Sequence, residues 1–156
     1  WPMGNSERWK LNHVITMLNQ RVVGAENSKA DYALTASEDE LFTNPKYVEA
    51  WQKVVDLQDA GCFNDAPNAT HPDLTRSMFS SQISPMMYCG TWCGNIFSSE
   101  GFEDFKMFRF PRVEGGADDG TVGFLVAEGL QVSTKTKYPK EAVTLDISPR
   151  PIIKNR

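Results

Sequence analysis

Apolar side chains recur at helical spacing near the start of the chain, and this pattern predicts a helix over residues 6–23. The stripe comprises Trp9, Val14, Ile15, Leu18 and Val22. Asn5 or Ser6 can cap this helix, and Gly24 suits the position after it. Residues 25–43 are polar and without a period, so we expect a long surface loop there.

The segment "NPKYVEAWQKVVDLQDAG" shows the clearest helical signals. Asn44 can cap the helix, Pro45 occupies its first turn, and Gly61 ends it. Its predicted buried face comprises Val48, Trp51, Val54 and Val55, which places the Trp51 side chain in the core. Two shorter helices are predicted, one after a cap at Asp73 and one that starts at Thr91.

Short apolar or aromatic runs predict strands between and after these helices. They are "ISPMMYCG" at 83–90, "FKMFRFP" at 105–111, and "TVGFLVAEGLQVS" at 121–133, the last interrupted by a turn. A further helix is expected over 138–145, and two prolines prevent it from continuing into 146–156. Helices mixed with strands indicate an α/β fold in which helices cover a sheet.

Composition excludes several classes of protein. The chain has 156 residues, of which 40% are apolar and 23% charged, so we expect a globular chain with a sizeable core. Its net charge of −4 argues against a nucleic-acid partner, because phosphate neutralisation needs clustered Lys and Arg. No apolar run approaches the roughly 20 residues of a membrane span.

Candidate reactive groups are sparse. Cys89 and Cys93 are four residues apart, which fits neither the Cys-x-x-Cys redox motif nor a zinc site, and His13 and His71 lie far away in sequence. We therefore predict no metal and no cofactor, and expect the two cysteines to pack, with a Cys89–Cys93 bridge as an open alternative. Gly-x-Ser-x-Gly and phosphate-loop motifs are absent from the sequence, so we expect no enzyme. Carboxylates that pair only in space keep a hydrolase as an alternative.

Two tryptophans, Trp9 and Trp92, stand near the start of predicted helices. Ligands of α/β sheets bind at the carboxyl ends of strands, where helices begin, so either indole could present its face to a ligand. The alternative for Trp92, within "MMYCGTWCGN", is burial in the core.

The segment "MFSSQISPMMYCGTWCGNIF" resembles part of the extracellular solute-binding proteins of ABC transporters, family 1, the maltodextrin-binding group. In that family a Phe precedes an apolar strand, and Gly-x-Trp then opens a helix; here these are Phe79, residues 83–89, and Gly90 to Trp92. Other segments follow in the family's order, so the resemblance covers residues 1–145.

The resemblance implies a partial periplasmic-binding-protein-like fold of type II. Residues 1–110 would form most of the second α/β lobe. Residues 111–145 would cross the hinge and return to the first lobe. Residues 146–156 would be a divergent or truncated tail, since family members are more than twice as long as this chain.

The resemblance also implies capture of a mono- or oligosaccharide without catalysis. The implied ligand-binding residues are Trp92, Gly90, Glu128, Gly129, Asn5 and Trp9. Trp92 would stack on the sugar, and Gly90 would let the backbone turn tightly beside it. Glu128, in the turn "VAEG" with Gly129, would accept hydrogen bonds from sugar hydroxyls. Asn5 would lie near the cleft, with helix capping as its alternative role.

The implied partner of the protein is the membrane permease of an ABC importer. The implied location is periplasmic or extracytoplasmic, with a lipid anchor in a Gram-positive organism. If a lobe is missing, the chain could also form a homodimer through the apolar surface left exposed. Two other classes stay open, a carbohydrate-active hydrolase and a structural or interaction domain in which Trp92 is core.

Overall fold

The computed structural model describes residues 1–118 and, beyond them, residues 120, 133, 135–138, 140 and 141. The elements in this described part are α1 (Trp9–Val23), α2 (Ala25–Tyr32), α3 (Lys46–Asp59), α4 (Pro72–Ser80) and α5 (Trp92–Ser99). The chain divides into a unit of residues 1–124, which holds all five helices, and a unit of residues 125–156. In the second unit, the Thr136 N–H donates a hydrogen bond to the Ser133 carbonyl.

The core forms where α1 packs against α3 and α2. Its buried members are Met3, Val14, Ile15, Leu18, Val22 and Ala50. The predicted apolar stripe of α1 is therefore confirmed from Val14 to Val22. Burial extends around most of this helix and includes the charged residues Lys10 and Arg21.

The N-terminal end of α1 combines two features. The helix begins at Trp9, and Arg8 before it has a left-handed backbone with φ of 65°. Asn5 lies further upstream, and its Oδ1 accepts a hydrogen bond of 3.0 Å from the N–H of Leu11 in the first turn. Asn5 thus satisfies one of the donors that a helix start leaves unpaired, although Arg8 is the residue that flanks the helix.

The expected loop over residues 25–43 was wrong for its first part, which forms α2. This helix buries two polar residues, Ser28 and Asp31, so it has no apolar period that the sequence could reveal. Asp31 is held by neighbours from outside the helix. The Tyr47 hydroxyl donates to its carboxylate, and the Phe42 N–H does so at 3.3 Å.

The helix α3 is confirmed, and of its predicted buried face Val54 packs against the core, but the other three residues are exposed. Tyr47 and Ala50 are buried, whereas Val48, Trp51 and Val55 are 73%, 48% and 47% exposed. The two stripes are offset by one residue, or about 100° around the helix. The small Ala50 lets α1 approach closely, and the Tyr47 hydroxyl bonds Asp31, so the helix turns this side inward.

The predicted α/β fold was wrong, because the described residues form helices and irregular segments without any strand. In the predicted strands 83–90 and 105–111, backbone groups form hydrogen bonds with partners other than a neighbouring strand. The N–H groups of Ile83 and Ser84 both donate to the Met78 carbonyl, at the end of α4. At the end of the predicted strand 105–111, the carbonyl of Phe110 accepts from the Arg21 guanidinium. A periplasmic-binding-protein-like sheet is therefore not part of this structure as described.

The two shorter predicted helices are confirmed as α4 and α5. The cap of α4 differs from the prediction, because His71 fills that position and its Nδ1 accepts from the N–H of Asp73 at 3.2 Å. The predicted strand 121–133 lies outside the described residues apart from Ser133, as does all of 146–156. Of the predicted helix 138–145 only Tyr138, Lys140 and Glu141 are described, and the last two are helical. None of the helices described here is long and apolar enough to cross a membrane.

A buried ion pair fixes residues 110–118 to α1. The guanidinium of Arg21, which is 0% exposed, lies 2.5 Å from the Asp118 carboxylate. The same guanidinium donates to the carbonyls of Phe110 and Pro111 at 3.1 and 3.3 Å, and the Asp118 N–H donates back to the Arg21 carbonyl. These bonds tie an irregular segment to the most buried helix.

Candidate functional site

An open groove of about 550 Å³ runs between the start of α1, the middle of α3 and the connection before α4. The side chains that line it are Asn5, Ser6, Arg8, Leu11, Asn12, Ile15, Trp51 and Asn68. Four are polar and uncharged, one carries a guanidinium, two are aliphatic, and one is an indole. This volume is within the range of small-molecule sites in proteins.

Trp51 supplies the largest apolar surface of the groove. It stands one residue beyond the buried Ala50 on α3, and this offset leaves its side chain 48% exposed. Ile15 and Leu11 line the groove from α1. The groove therefore combines a flat aromatic ring, accessible to a ligand, with an apolar wall behind it.

Asn5 supports the groove from within and is only 7% exposed. Its Nδ2 donates to Asn68 Oδ1 at 2.8 Å, its Oδ1 accepts from Leu11, and its N–H donates to the Pro67 carbonyl at 2.8 Å. These bonds join the N-terminal segment to the connection before α4. Asn5 thus acts mainly as a scaffold that positions Asn68.

Three polar side chains at the groove have donor or acceptor atoms that are not hydrogen-bonded in the described part of the chain. Within the described part of the chain, nothing hydrogen-bonds the Asn12 side chain, the Asn68 Nδ2 or the Arg8 guanidinium. Arg8 also has the left-handed backbone noted above, a conformation that non-glycine residues adopt at a cost. Strain of this kind is concentrated at binding sites and active sites.

The two tryptophans singled out from the sequence lie together, but not in this groove. The Trp9 ring centroid is 5.2 Å from that of His13, which in turn is 5.7 Å from the Trp92 ring. Trp92 is 40% exposed, and its indole covers Gly90. His13 and Ile15 are about 200° apart around α1, so this aromatic row and the groove occupy different sides of the helix.

A hydrogen bond to Glu7, whose carboxylate also contacts His71, holds the Trp9 indole in place. Its Nε1 donates to Glu7 Oε2 at 2.8 Å, and the other carboxylate oxygen is 3.0 Å from His71 Nε2. These two bonds lower the pKa of Glu7. In the same row, burial and the nearby charge of Lys10 lower the pKa of His13.

The structure therefore divides the predicted ligand-binding residues. It brings Trp9, Trp92 and Gly90 together and places Asn5 on the side of the groove. The other two predicted residues, Glu128 and Gly129, lie outside the described residues.

The cysteines that flank Trp92 form a disulfide, Cys89–Cys93, which was the open alternative. The bridge connects the segment before α5 to its first turn, and Cys93 is buried. Cys62 is a free thiol. Among the residues that the structure describes, no group of three or more His, Cys, Asp or Glu could hold a metal ion.

Sequence reasoning missed the groove because its main residues have other plausible roles in the sequence. Trp51 lies on an apolar stripe and was assigned to the core. Asn12 is one polar residue on an amphipathic helix, and Asn68 belongs to a turn-rich connection. The single available signal is the width of the apolar face of α3, which is larger than one neighbouring helix can cover.

No protein-family model matches the chain, and no similar protein was found among curated proteins or solved structures.

Proposed function

We propose that this chain binds a carbohydrate in the groove at Trp51. The observation that carries the proposal is the combination, in about 550 Å³, of a half-exposed indole and amide side chains with free hydrogen-bonding atoms. Asn12 and Asn68 provide these amides.

The chemistry of a sugar suits this lining. A pyranose presents a face of C–H groups and a rim of hydroxyls, so it binds best where a flat aromatic ring meets polar side chains. Trp51 would take the C–H face. Asn12 and Asn68 can both donate to and accept from hydroxyls, and Arg8 can donate to them. Asn5 would contribute indirectly, by fixing the position of Asn68.

Binding without hydrolysis is the form of the proposal that the lining favours. Glycoside hydrolysis ordinarily requires two carboxyl groups that flank the scissile bond. The described residues that line the groove include no Asp or Glu. A hydrolase would have to use acids from elsewhere in the chain.

The wider role suggested by the sequence stays a separate proposal. Import of the solute, an ABC permease as the partner and a periplasmic or extracytoplasmic location depend only on the resemblance around Gly90 and Trp92. The helical fold of the described residues gives them no support, whereas sugar binding at Trp51 does not depend on them.

The test is a titration with a panel of mono- and oligosaccharides, followed by tryptophan fluorescence and calorimetry. Trp51→Ala is the test variant, and Trp92→Ala is its matched control, because both indoles are roughly half-exposed and both lie on helices. We expect saturable binding that Trp51→Ala abolishes and Trp92→Ala retains. Circular dichroism would establish that both variants keep their helices.

Two outcomes would contradict the proposal. Loss of binding in Trp92→Ala, with binding retained in Trp51→Ala, would move the sugar to the aromatic row that contains Trp9. Absence of binding by the unmodified chain across the panel would remove the sugar-binding function altogether.

A further inference from the structure

Lys10 is a buried lysine without a hydrogen-bond acceptor. Its side chain belongs to the first turn of α1 and is 1% exposed. Its Nζ has no hydrogen-bond partner within the described part of the chain. The nearest aromatic group is the ring of Trp9, whose centroid lies 5.4 Å from the Nζ.

Such a position requires an explanation, because lysines are almost never fully buried unless they are paired. A buried ammonium without an acceptor loses its hydration and gains little in return. When a native protein retains a buried polar group without a partner, the usual reasons are a bound water or ion, or a role in function.

A nearby guanidinium makes the position less favourable still. Arg76 extends from α4, its side chain is only 19% exposed, and its charge acts on Lys10. His13 lies one turn further along α1 and is itself affected by the Lys10 charge. Burial and the Arg76 charge together lower the pKa of Lys10 to about 8.

The neighbouring carboxylates do not compensate this charge. Asp73 forms an ion pair with Arg76, one turn away on the same helix. Glu7 accepts from Trp9 and interacts with His71. Both acids are thus already engaged, and neither pairs with Lys10.

We propose that Lys10 binds an oxyanion, the carboxylate or phosphate group of a small solute, beneath the Trp9 indole. An anion there would supply the acceptor that Lys10 lacks. The Trp9 ring is the cover of this site. It is partly exposed and its hydrogen bond to Glu7 lies at the surface, so an anion that enters from solvent would have to displace this ring.

The oxyanion site uses residues other than those of the proposed sugar groove. Neither Lys10 nor Trp9 lines the groove, and Lys10 lies about 140° around α1 from Ile15, which does. The experiment therefore uses simple anions and no sugar, so failure of one proposal leaves the other untouched.

The experiment titrates the unmodified chain with sodium sulfate and with sodium acetate, against sodium chloride at equal ionic strength. Trp9 fluorescence and the thermal unfolding midpoint are the readouts. Lys10→Met is the test variant, since Met keeps the length and removes the charge, and Lys29→Met is the control at an exposed position on α2. Sulfate represents phosphate-like anions and acetate represents carboxylates, so the preferred anion identifies the chemical class.

We expect saturable binding of at least one anion, about tenfold or more weaker in Lys10→Met and unchanged in Lys29→Met. An equal response in Lys10→Met would overturn the proposal, because it would place the anion elsewhere. A response of the unmodified chain to neither anion would overturn it as well.

The pH dependence of sulfate binding gives a second test, because sulfate keeps its charge over the range. The groups whose charge interacts with that of Lys10 are Arg76 and His13, while Asp73 pairs with Arg76 and Glu7 contacts Trp9 and His71. Burial lowers the pKa of Lys10 to about 8. Affinity should therefore fall by about tenfold per pH unit above that point. An affinity that stays flat up to about pH 10 would show that Lys10 is not the ligand.

Discussion

The indole of Trp92 lies against the α-carbon of Gly90, in the space that any side chain at position 90 would occupy. The backbone of Gly90 does not have the positive φ that demands glycine elsewhere in the chain, as at Gly24 and Gly61. Glycine is therefore required at position 90 by the ring that packs on it and not by the conformation of the turn. The adjacent Cys89–Cys93 disulfide encloses both residues in one short loop.

Gly90→Ala should displace the Trp92 ring from this position. We expect a change in tryptophan fluorescence and a loss of stability of about 1–3 kcal/mol, the usual cost of forcing extra atoms into a packed site. Urea unfolding would measure the loss. The matched control is Gly94→Ala in α5, where the nearest atom to a new methyl group is Met107 Sδ at 3.8 Å.

The control should behave in the opposite way. A methyl group at position 94 meets no clash, and alanine is favoured over glycine in a helix by about 0.5–1 kcal/mol. Equal stability of the two variants would show that the Trp92 ring moves freely and does not define the space above Gly90.

The variant Arg8→Gly relieves the backbone strain at position 8 and also removes the guanidinium, so its effects on stability and on sugar affinity should differ in direction. Glycine tolerates the φ of 65° at this position, so the variant should be as stable as the unmodified chain or more stable by up to about 1 kcal/mol. Sugar affinity should nevertheless fall severalfold, because one donor is lost from the groove.

Calorimetric titration combined with urea unfolding would measure both effects for Arg8→Gly. Arg8→Lys is the control, since it keeps the strain and the charge and should retain part of the affinity. A variant that binds sugar as well as the unmodified chain would exclude Arg8 from the site.

The sequence predicted the helices better than the faces they bury. For α1, apolar period and actual burial agree, because this helix is central and its stripe is continuous from Val14 to Val22. For α3, two adjacent stripes compete, and the choice depends on Ala50 and on the bond between Tyr47 and Asp31. Tertiary contacts decide which of the two stripes is buried, and the sequence pattern of a single helix does not reveal these contacts.

The strand predictions at 83–90 and 105–111 failed for a related reason. Short apolar runs are ambiguous in sequence, because an irregular segment can show the same composition as a buried strand. In the first of these runs Ile83 and Met86 are in fact 71% and 42% exposed. Here a side chain provides bonds that a neighbouring strand would have provided, as Arg21 does for Phe110 and Pro111. The pairing of Arg21 with Asp118 spans 97 residues, and nothing in the sequence indicates it.

The sequence predicted a binding site built on a tryptophan, but at a different position from the groove. A tryptophan that stacks on a ligand was expected from the sequence, but Trp92 was chosen for this role because of its place after Gly90. Trp51 was excluded because its helix looked fully amphipathic. The exposed fraction of a side chain on such a helix depends on how many neighbours pack there, and this number is a property of the fold.

Asp118→Asn should be strongly destabilising. The substitution keeps the size of the side chain but removes the negative charge 2.5 Å from the buried Arg21 guanidinium. Removing one member of a buried ion pair costs about 3–5 kcal/mol. Guanidinium chloride unfolding of the variant, beside Asp104→Asn at an exposed position, would measure the difference. A loss below about 1 kcal/mol in Asp118→Asn would mean that the carbonyls of Phe110 and Pro111 suffice for Arg21.

Lys10 makes the stability of the protein depend on pH in the alkaline range. The folded chain releases the Lys10 proton near pH 8, whereas the unfolded chain holds it up to about pH 10.4. Below pH 8 both states are protonated, so the folded state carries the full cost of a buried charge. Between these values the unfolded state binds more protons, and stability therefore rises with pH. Above about pH 10.4 the rise should end, because both states have then released the Lys10 proton. Stability should fall beyond that point, because burial raises the pKa of Tyr88 to about 12 and the unfolded state loses its tyrosine proton first.

Lys10→Met should remove this dependence and make the protein more stable at neutral pH. The gain should be on the order of 2–3 kcal/mol at pH 7, since a shift of one pKa unit corresponds to about 1.4 kcal/mol and Met buries no charge. Urea unfolding between pH 7 and pH 10, in chloride buffers without sulfate or carboxylates, would measure the slope for the unmodified chain and for the variant. Lys29→Met, at its exposed position, should retain the slope of the unmodified chain. If Lys10→Met is less stable than the unmodified chain at pH 7, the ammonium of Lys10 has an acceptor in solution and is not an unpaired buried charge.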